Sequence, residues 1–276
     1  MKRTIPWIIV ALVAATSGGV GVYLWKEKAD HEARQEVLSV RTAEAPPPPP
    51  PVPMGPEIHH PLPKAPAPPD LDGKPLGTLN DSDASVLGAL TRVANNQAVA
   101  GLIVSSELVR HIVMTIDNLP RSKVATRLLP VKPPSGRFIV AGADGSDLSL
   151  SPANARRYKS YVRLAQTLET SRLIAVYVHF YPLFQQAYEE LGYPNLYFND
   201  RVVEAIDDLL AAPEMDSKVK LVQPKVLYLF ADPDLEELSA GQKIMIRMGP
   251  ENAAAIKAKL REIRRELVME PPSMTN

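Results

Sequence analysis

The chain contains no cysteine, and that absence alone excludes thiol catalysis, thiolate metal sites and disulfides. It is compatible with an oxidising compartment without requiring one. Charge of one sign is also lacking, since 31 Lys and Arg balance 31 Asp and Glu. A general nucleic-acid binder carries a basic excess, so no nucleic-acid partner is expected. The sequence has no glycine-rich phosphate loop ending in Lys-Ser/Thr, no Gly-x-Ser-x-Gly elbow and no His-Glu-x-x-His pair. No cofactor and no metal site is expected.

Proline, by contrast, is abundant and clustered: half of the 28 prolines fall between Pro46 and Pro75. Prolines spread through a core would break its helices and strands, so the cluster reads as a linker. Ahead of it, residues 5–25 carry no formal charge. At ~1.5 Å per residue they would span roughly 30 Å, one hydrocarbon core, with Trp7, Tyr23 and Trp25 suited to the two interfaces. A cleaved signal peptide is the competing reading, but the apolar run continues past Val13-Ala14-Ala15, which favours an uncleaved signal anchor. Lys26, Lys28, Arg34 and Arg41 follow the run, so basic count alone does not orient it. The short basic tail over residues 1–4 has the form of a signal-anchor n-region and is placed in the cytoplasm. Ser17 and Gly21 form a small-xxx-small pair through which copies could associate as a homo-oligomer.

The expected organisation is a tail over 1–4, a transmembrane anchor over 5–25, a charged then proline-rich linker over 26–75, a globular helical domain over 76–268, and a tail over 269–276. Polyproline II at ~3.1 Å per residue would make the proline-rich part a semi-rigid arm. A docking site for a proline-recognising domain is the alternative. His59 and His60 have no further ligand types beside them and read as loop residues.

Within the domain, Asp81-Ser82-Asp83 offers a helix cap, and a second helix is predicted over 105–118 with Leu108, Ile112 and Ile116 on one face. His111 beside that stripe reads as a packing residue. Apolar runs either side of Asp144-Gly145 predict a small hairpin over 138–150. Asp144, Ser146 and Asp147 lack the remaining ligands of a calcium loop. Ser151-Pro152 is a helix start. The next helix carries Arg156, Lys159 and Arg163 at i, i+3 and i+7, with Arg157 alongside: a candidate anion-binding surface or a solvated face.

Residues 171–201 form the hub. Leu173, Val176, Tyr177, Phe180, Tyr181, Phe184, Ala187, Tyr188 and Leu191 cover more than half a helix circumference, so other helices should surround it. Pro182 should kink or split it, Gly192 should end it, and Asn199 or Asp200 should cap the next helix. Short strands are expected around Lys220-Leu221-Val222 and 226–230, then a short helical segment from Asp232-Pro233 and two more helices. The fold class is thus mainly α (α+β): a multi-helix bundle around a central apolar helix, with a small hairpin, short strands and one N-terminal transmembrane helix.

Several runs carry a resemblance: Asp117-Asn118-Leu119-Pro120-Arg121, Tyr181-Pro182-Leu183, Tyr188-Glu189-Glu190-Leu191-Gly192-Tyr193-Pro194, Phe198-Asn199-Asp200-Arg201, Gly241-Gln242-Lys243 and Arg247-Met248-Gly249-Pro250-Glu251-Asn252. They resemble a bacterial domain of unknown function, family 3014, over about residues 76–267. The resemblance implies a proteobacterial protein with one membrane span and a proline-rich connection, hence the inner membrane with the domain in the periplasm. It implies no activity.

Candidate binding residues are Arg156, Arg157, Lys159, Arg163, Asn199, Asp200, Arg201, Gln242, Lys243 and Arg247. Glu189 and Glu190 are the candidate acids, because a half-buried Glu with a raised pKa can transfer a proton. Glu204, Asp207 and Asp208 could hold a cation or pair with basic groups. The functional expectation is a membrane-tethered periplasmic binding or scaffold protein whose partner is an envelope protein or peptidoglycan. The alternative is a periplasmic hydrolase using Glu189 or Glu190, although an enzyme is the less favoured reading.

Overall fold

The apolar stripes become helix faces that meet around one long helix. The computed structural model describes residues 57–268, apart from 69–70, 72–74, 96–97, 143–146 and 216–217. Its helices are α1 (Asp83–Val93), α2 (Ala98–Leu102), α3 (Leu108–Asn118), α4 (Ala155–Thr167), α5 (Thr170–Glu190), α6 (Phe198–Leu210), α7 (Pro233–Glu237), α8 (Ala240–Arg247) and α9 (Pro250–Val268). Helix α5 packs against α1, α3, α6 and α9. Val176, Phe180, Phe184 and Tyr188 of α5 meet Val86 of α1, Val109 and Val113 of α3, and Phe198 of α6. Burying a large apolar side chain of this kind stabilises by about 1.5–3 kcal/mol, which is why the hub helix carries apolar residues around so much of its circumference. A second cluster joins Ile174 of α5 to Val203 and Ile206 of α6 and Leu267 of α9.

The helix ends differ from the sequence reading in instructive ways. Helix α3 starts at Leu108 rather than at Ser105, because Glu107 adopts a left-handed conformation (φ 49°). Its cap comes from another helix: the carboxylate of Asp83 on α1 accepts from the amides of Glu107 and Leu108, both at 2.8 Å. Pro182 does not split α5, which is one 21-residue helix. Pro182 faces solvent, where water can take the carbonyl deprived of its partner. Gly192, at φ 112°, follows the helix in a conformation that suits glycine.

Strands β1 (Val140–Ala141) and β2 (Ser149–Leu150) pair antiparallel with Val140 opposite Leu150. Gly142 is required at this turn, since a Cβ there would lie 2.2 Å from the Asp147 carbonyl oxygen. Strands β3 (Leu221–Val222) and β4 (Leu229–Phe230) form a second antiparallel hairpin, and a Ser149–Lys220 bridge joins the two. Asp144 and Ser146 lie outside the described residues.

One part of the expected fold class is corrected. Among the described residues no helix is long and apolar enough to cross a membrane, the two longest carrying polar and charged residues along their length. The transmembrane helix was expected over residues 5–25, which lie outside the described residues. The fold is a mainly α multi-helix bundle with two short antiparallel hairpins. Nothing among the described residues supports the single-pass inner-membrane topology with a cytoplasmic N-terminus and a periplasmic domain.

Candidate functional site

Three side chains spaced four apart on α5 organise the start of α6. The Tyr177 hydroxyl donates to Asn199 Oδ1 at 3.0 Å. The Tyr181 hydroxyl accepts from the Asn199 amide at 3.2 Å and donates to Gln185 Oε1 at 3.1 Å. Gln185 Oε1 also accepts from the Phe198 amide at 2.9 Å. These contacts satisfy N–H groups that have no partner within α6 itself. Burial pushes both phenols well above the ordinary tyrosine value, so both stay protonated and able to donate.

With its backbone and Oδ1 fixed, fully buried Asn199 turns its amide nitrogen outward and donates to the His60 carbonyl at 2.9 Å. Asp200, in the first turn of α6, accepts from the His60 amide at 2.6 Å and the His59 amide at 3.1 Å. The Leu62 amide donates to the Tyr197 hydroxyl at 3.3 Å. Residues 57–68, assigned from sequence to the linker, therefore run along the domain as a strap without helix or strand. Leu62 packs against the main core and Ala65 against the second cluster. The carboxylate at a helix N-terminus is electrostatically favoured, and its bonds to amide donors are charge-assisted.

Arg201 turns the other way, toward α3. Its Nε donates to the Asp117 carboxylate at 3.1 Å, and a terminal nitrogen donates to the Asp117 carbonyl. Arg121 reaches the same carboxylate at 2.9 Å, and Tyr193 bridges to it. The remaining motif residues serve packing of the C-terminal helices. Gln242 donates to both the carbonyl and carboxylate of Asp208, at 3.0 and 3.1 Å. Lys243 donates to the Glu236 carbonyl at 2.8 Å, and Arg247 lies over the Phe230 ring at 5.1 Å. Asn252 donates to the carbonyls of Ala155 and Met248.

The other expected sites disperse. Arg156, Lys159 and Arg163 are exposed on α4, whereas Arg157 ties down the 134–136 loop through its carbonyls. Glu204 pairs with Arg201, Asp207 with Arg264, and Asp208 accepts from Ser239, so the three carboxylates serve separate partners. Among the described residues no group of three His, Asp or Glu side chains could hold a metal ion. His111 is buried in packing, as its stripe predicts.

The hydrolase reading is corrected. Glu189 and Glu190 are exposed at the end of α5; Glu189 accepts from Gln185 and Glu190 pairs with Arg110 at 3.0 Å. Neither carboxylate lies in a cleft where a substrate could meet it, and both are engaged by neighbouring side chains. The tethered envelope scaffold is corrected with it, since membrane attachment and an envelope or peptidoglycan partner have no support among the described residues.

Sequence reasoning missed Asp117, Tyr193 and Tyr197, and treated Tyr177 and Tyr181 as apolar only. The signal was present: polar tips at Tyr177, Tyr181 and Gln185 share one helix face, four residues apart.

The fold and these contacts define a helical domain whose polar motifs wire its own helices together, while one carboxylate grips an extended segment. The chain belongs to the family described as Protein of unknown function (DUF3014), whose model matches residues 108–264. That range contains Asp117, Asn199, Asp200 and Arg201, whereas the strap lies outside it. No curated protein and no solved structure matches the chain.

Proposed function

We propose that this chain is a protein-interaction module that recognises an extended, proline-containing segment, and that its own residues 57–68 fill that site in cis. The observation that carries the reading is the Asp200 carboxylate accepting two consecutive strap amides while Asn199 takes the carbonyl of the second. Such contacts read main chain rather than side chain, so they suit any segment that presents the same backbone shape. Prolines at 61, 63, 66 and 68 restrict that shape in advance and lower the entropy lost on docking. Leu62 adds an apolar anchor against the core. A segment held in cis enjoys a high effective concentration, so a competitor must bind strongly to displace it.

The test is a full-length chain in which residues 57–68 are replaced by a Gly-Ser stretch of equal length, with folding checked by circular dichroism. A labelled peptide of the wild-type 57–68 sequence is then titrated in. Saturable binding that disappears with Asp200→Ala supports the reading. Absence of binding, or binding indifferent to Asp200→Ala, contradicts it.

A further inference from the structure

The strap is matched to the domain donor by donor. Pro61 and Pro63 have no N–H, so between positions 59 and 63 the main chain offers amides only at His59, His60 and Leu62. All three are taken up. His59 and His60 donate to opposite oxygens of the Asp200 carboxylate, and Leu62 donates to the Tyr197 hydroxyl. Two successive amides reach one anion only where the chain bends to form a concave pair of donors, and the strap bends at His59 and His60. Pro61 restricts the backbone of His60, whose carbonyl accepts from Asn199 Nδ2 at 2.9 Å. Side chains are treated differently: Ile58, His59 and Pro61 are exposed, whereas Leu62 packs against the main core.

Between residues 54 and 67 the same donor pattern stands three times, five residues apart: Met54-Gly55-Pro56-Glu57, His59-His60-Pro61-Leu62 and Lys64-Ala65-Pro66-Ala67. Each copy offers two consecutive amides, a proline and one further amide. Main-chain bonds alone would accept any of the three, so the fourth position decides the register. Glu57 would carry a charge into the apolar contact, and Ala67 would leave most of it unfilled. Leu62 therefore selects the middle copy. The unbroken prolines at 46–51 offer no amide and cannot compete.

We infer that the Asp200 site selects proline-rich segments of a partner protein by the pattern non-proline, non-proline, proline, leucine. It reads amides at the first, second and fourth positions and one side chain at the fourth. This selectivity deepens the peptide-recognition reading and rests on it. Proline rings are not what the site reads: proline occupies the positions where the domain presents no acceptor, and the donors between the prolines carry recognition.

The test uses the full-length chain with residues 57–68 replaced by Gly-Ser, and measures how variant 57–68 peptides compete with the labelled wild-type peptide. Only the peptide changes, so folding is constant across the series. His60→Pro should weaken competition by at least about tenfold through the lost charge-assisted bond. N-methylation of Leu62, which removes the amide hydrogen and keeps the side chain, should cost about fivefold, and Leu62→Ala about tenfold. Pro61→Ala should cost only about threefold, because it loosens the free peptide and touches no acceptor. A peptide of residues 63–68 should compete weakly, and Ala67→Leu should make it an effective competitor. In the intact chain, His60→Pro should strip the His59 amide of its protection from hydrogen exchange, whereas Pro61→Ala should leave it protected. A wild-type peptide that binds but tolerates His60→Pro or Leu62→Ala without loss, an Ala67→Leu peptide that stays inert, or a protected His59 amide in intact His60→Pro would overturn the selectivity and leave peptide recognition standing. A wild-type peptide that does not bind contradicts both.

Discussion

Arg201 on α6 contacts Asp117 on α3 twice, through the carboxylate at 3.1 Å and through the backbone carbonyl. Both side chains are largely withdrawn from water, at 13% and 5% exposure. Removing one partner of such a pair leaves an uncompensated charge, which costs more than the pair itself contributes. Asp117→Ala should therefore destabilise by about 3–5 kcal/mol, measured by chemical denaturation. Asp117→Asn should cost less, because it keeps an acceptor for Arg201.

Gly241 sits where α8 meets the 119–121 loop, and its amide donates to the Leu119 carbonyl at 2.9 Å. A Cβ at this position would lie 2.7 Å from Leu209 Cδ2 and 3.2 Å from the Leu119 carbonyl oxygen. Gly241→Ala should cost roughly 1–3 kcal/mol through overpacking, read as a lowered denaturation midpoint at an unchanged slope.

Glu262 on α9 gives a pH-dependent prediction. Its hydrogen bond from Lys259, and a second from Thr170, hold its pKa below the ordinary glutamate value of 4.5. A depressed folded pKa contributes stability that is present above the unfolded value and is lost as pH falls through the folded value. Glu262→Gln should thus be less stable than wild type at pH 7, and the gap should close as pH drops below 4.5. Asp208 works with the opposite sign: burial raises its pKa, so its ionisation opposes folding as pH rises through and above the ordinary 3.8.

How much of this was legible beforehand differs between elements. The hub helix, its partners and the hairpin at 138–150 follow from hydrophobic period and turn chemistry, which are local properties. Capping by another helix is not local: nothing near Glu107 announces that Asp83 will cap α3. Nor does any spacing announce that Asp200 will meet His59, 141 positions away. Asn199, Asp200 and Arg201 could be flagged as polar residues in a patterned run, but only the fold shows that the first two reach the strap while Arg201 reaches α3. The strap misleads for a physical reason. Its composition is that of a spacer, and proline forbids the ladder bonds by which docking is usually inferred, so side-chain acceptors on the domain hold it instead.

Asp200→Ala should free the strap while leaving the bundle intact. Loss of two charge-assisted bonds on a half-buried group should lower stability by about 1–2 kcal/mol. Limited proteolysis should then cut within residues 57–68 faster than in wild type.

Amide hydrogen exchange at His59 and His60 tests the central claim most directly. In wild type both amides should be protected, and Asp200→Ala should remove that protection while the buried amides of α5 exchange as slowly as before. Exchange of the wild-type His59 and His60 amides at the rate of an unstructured peptide would contradict the account.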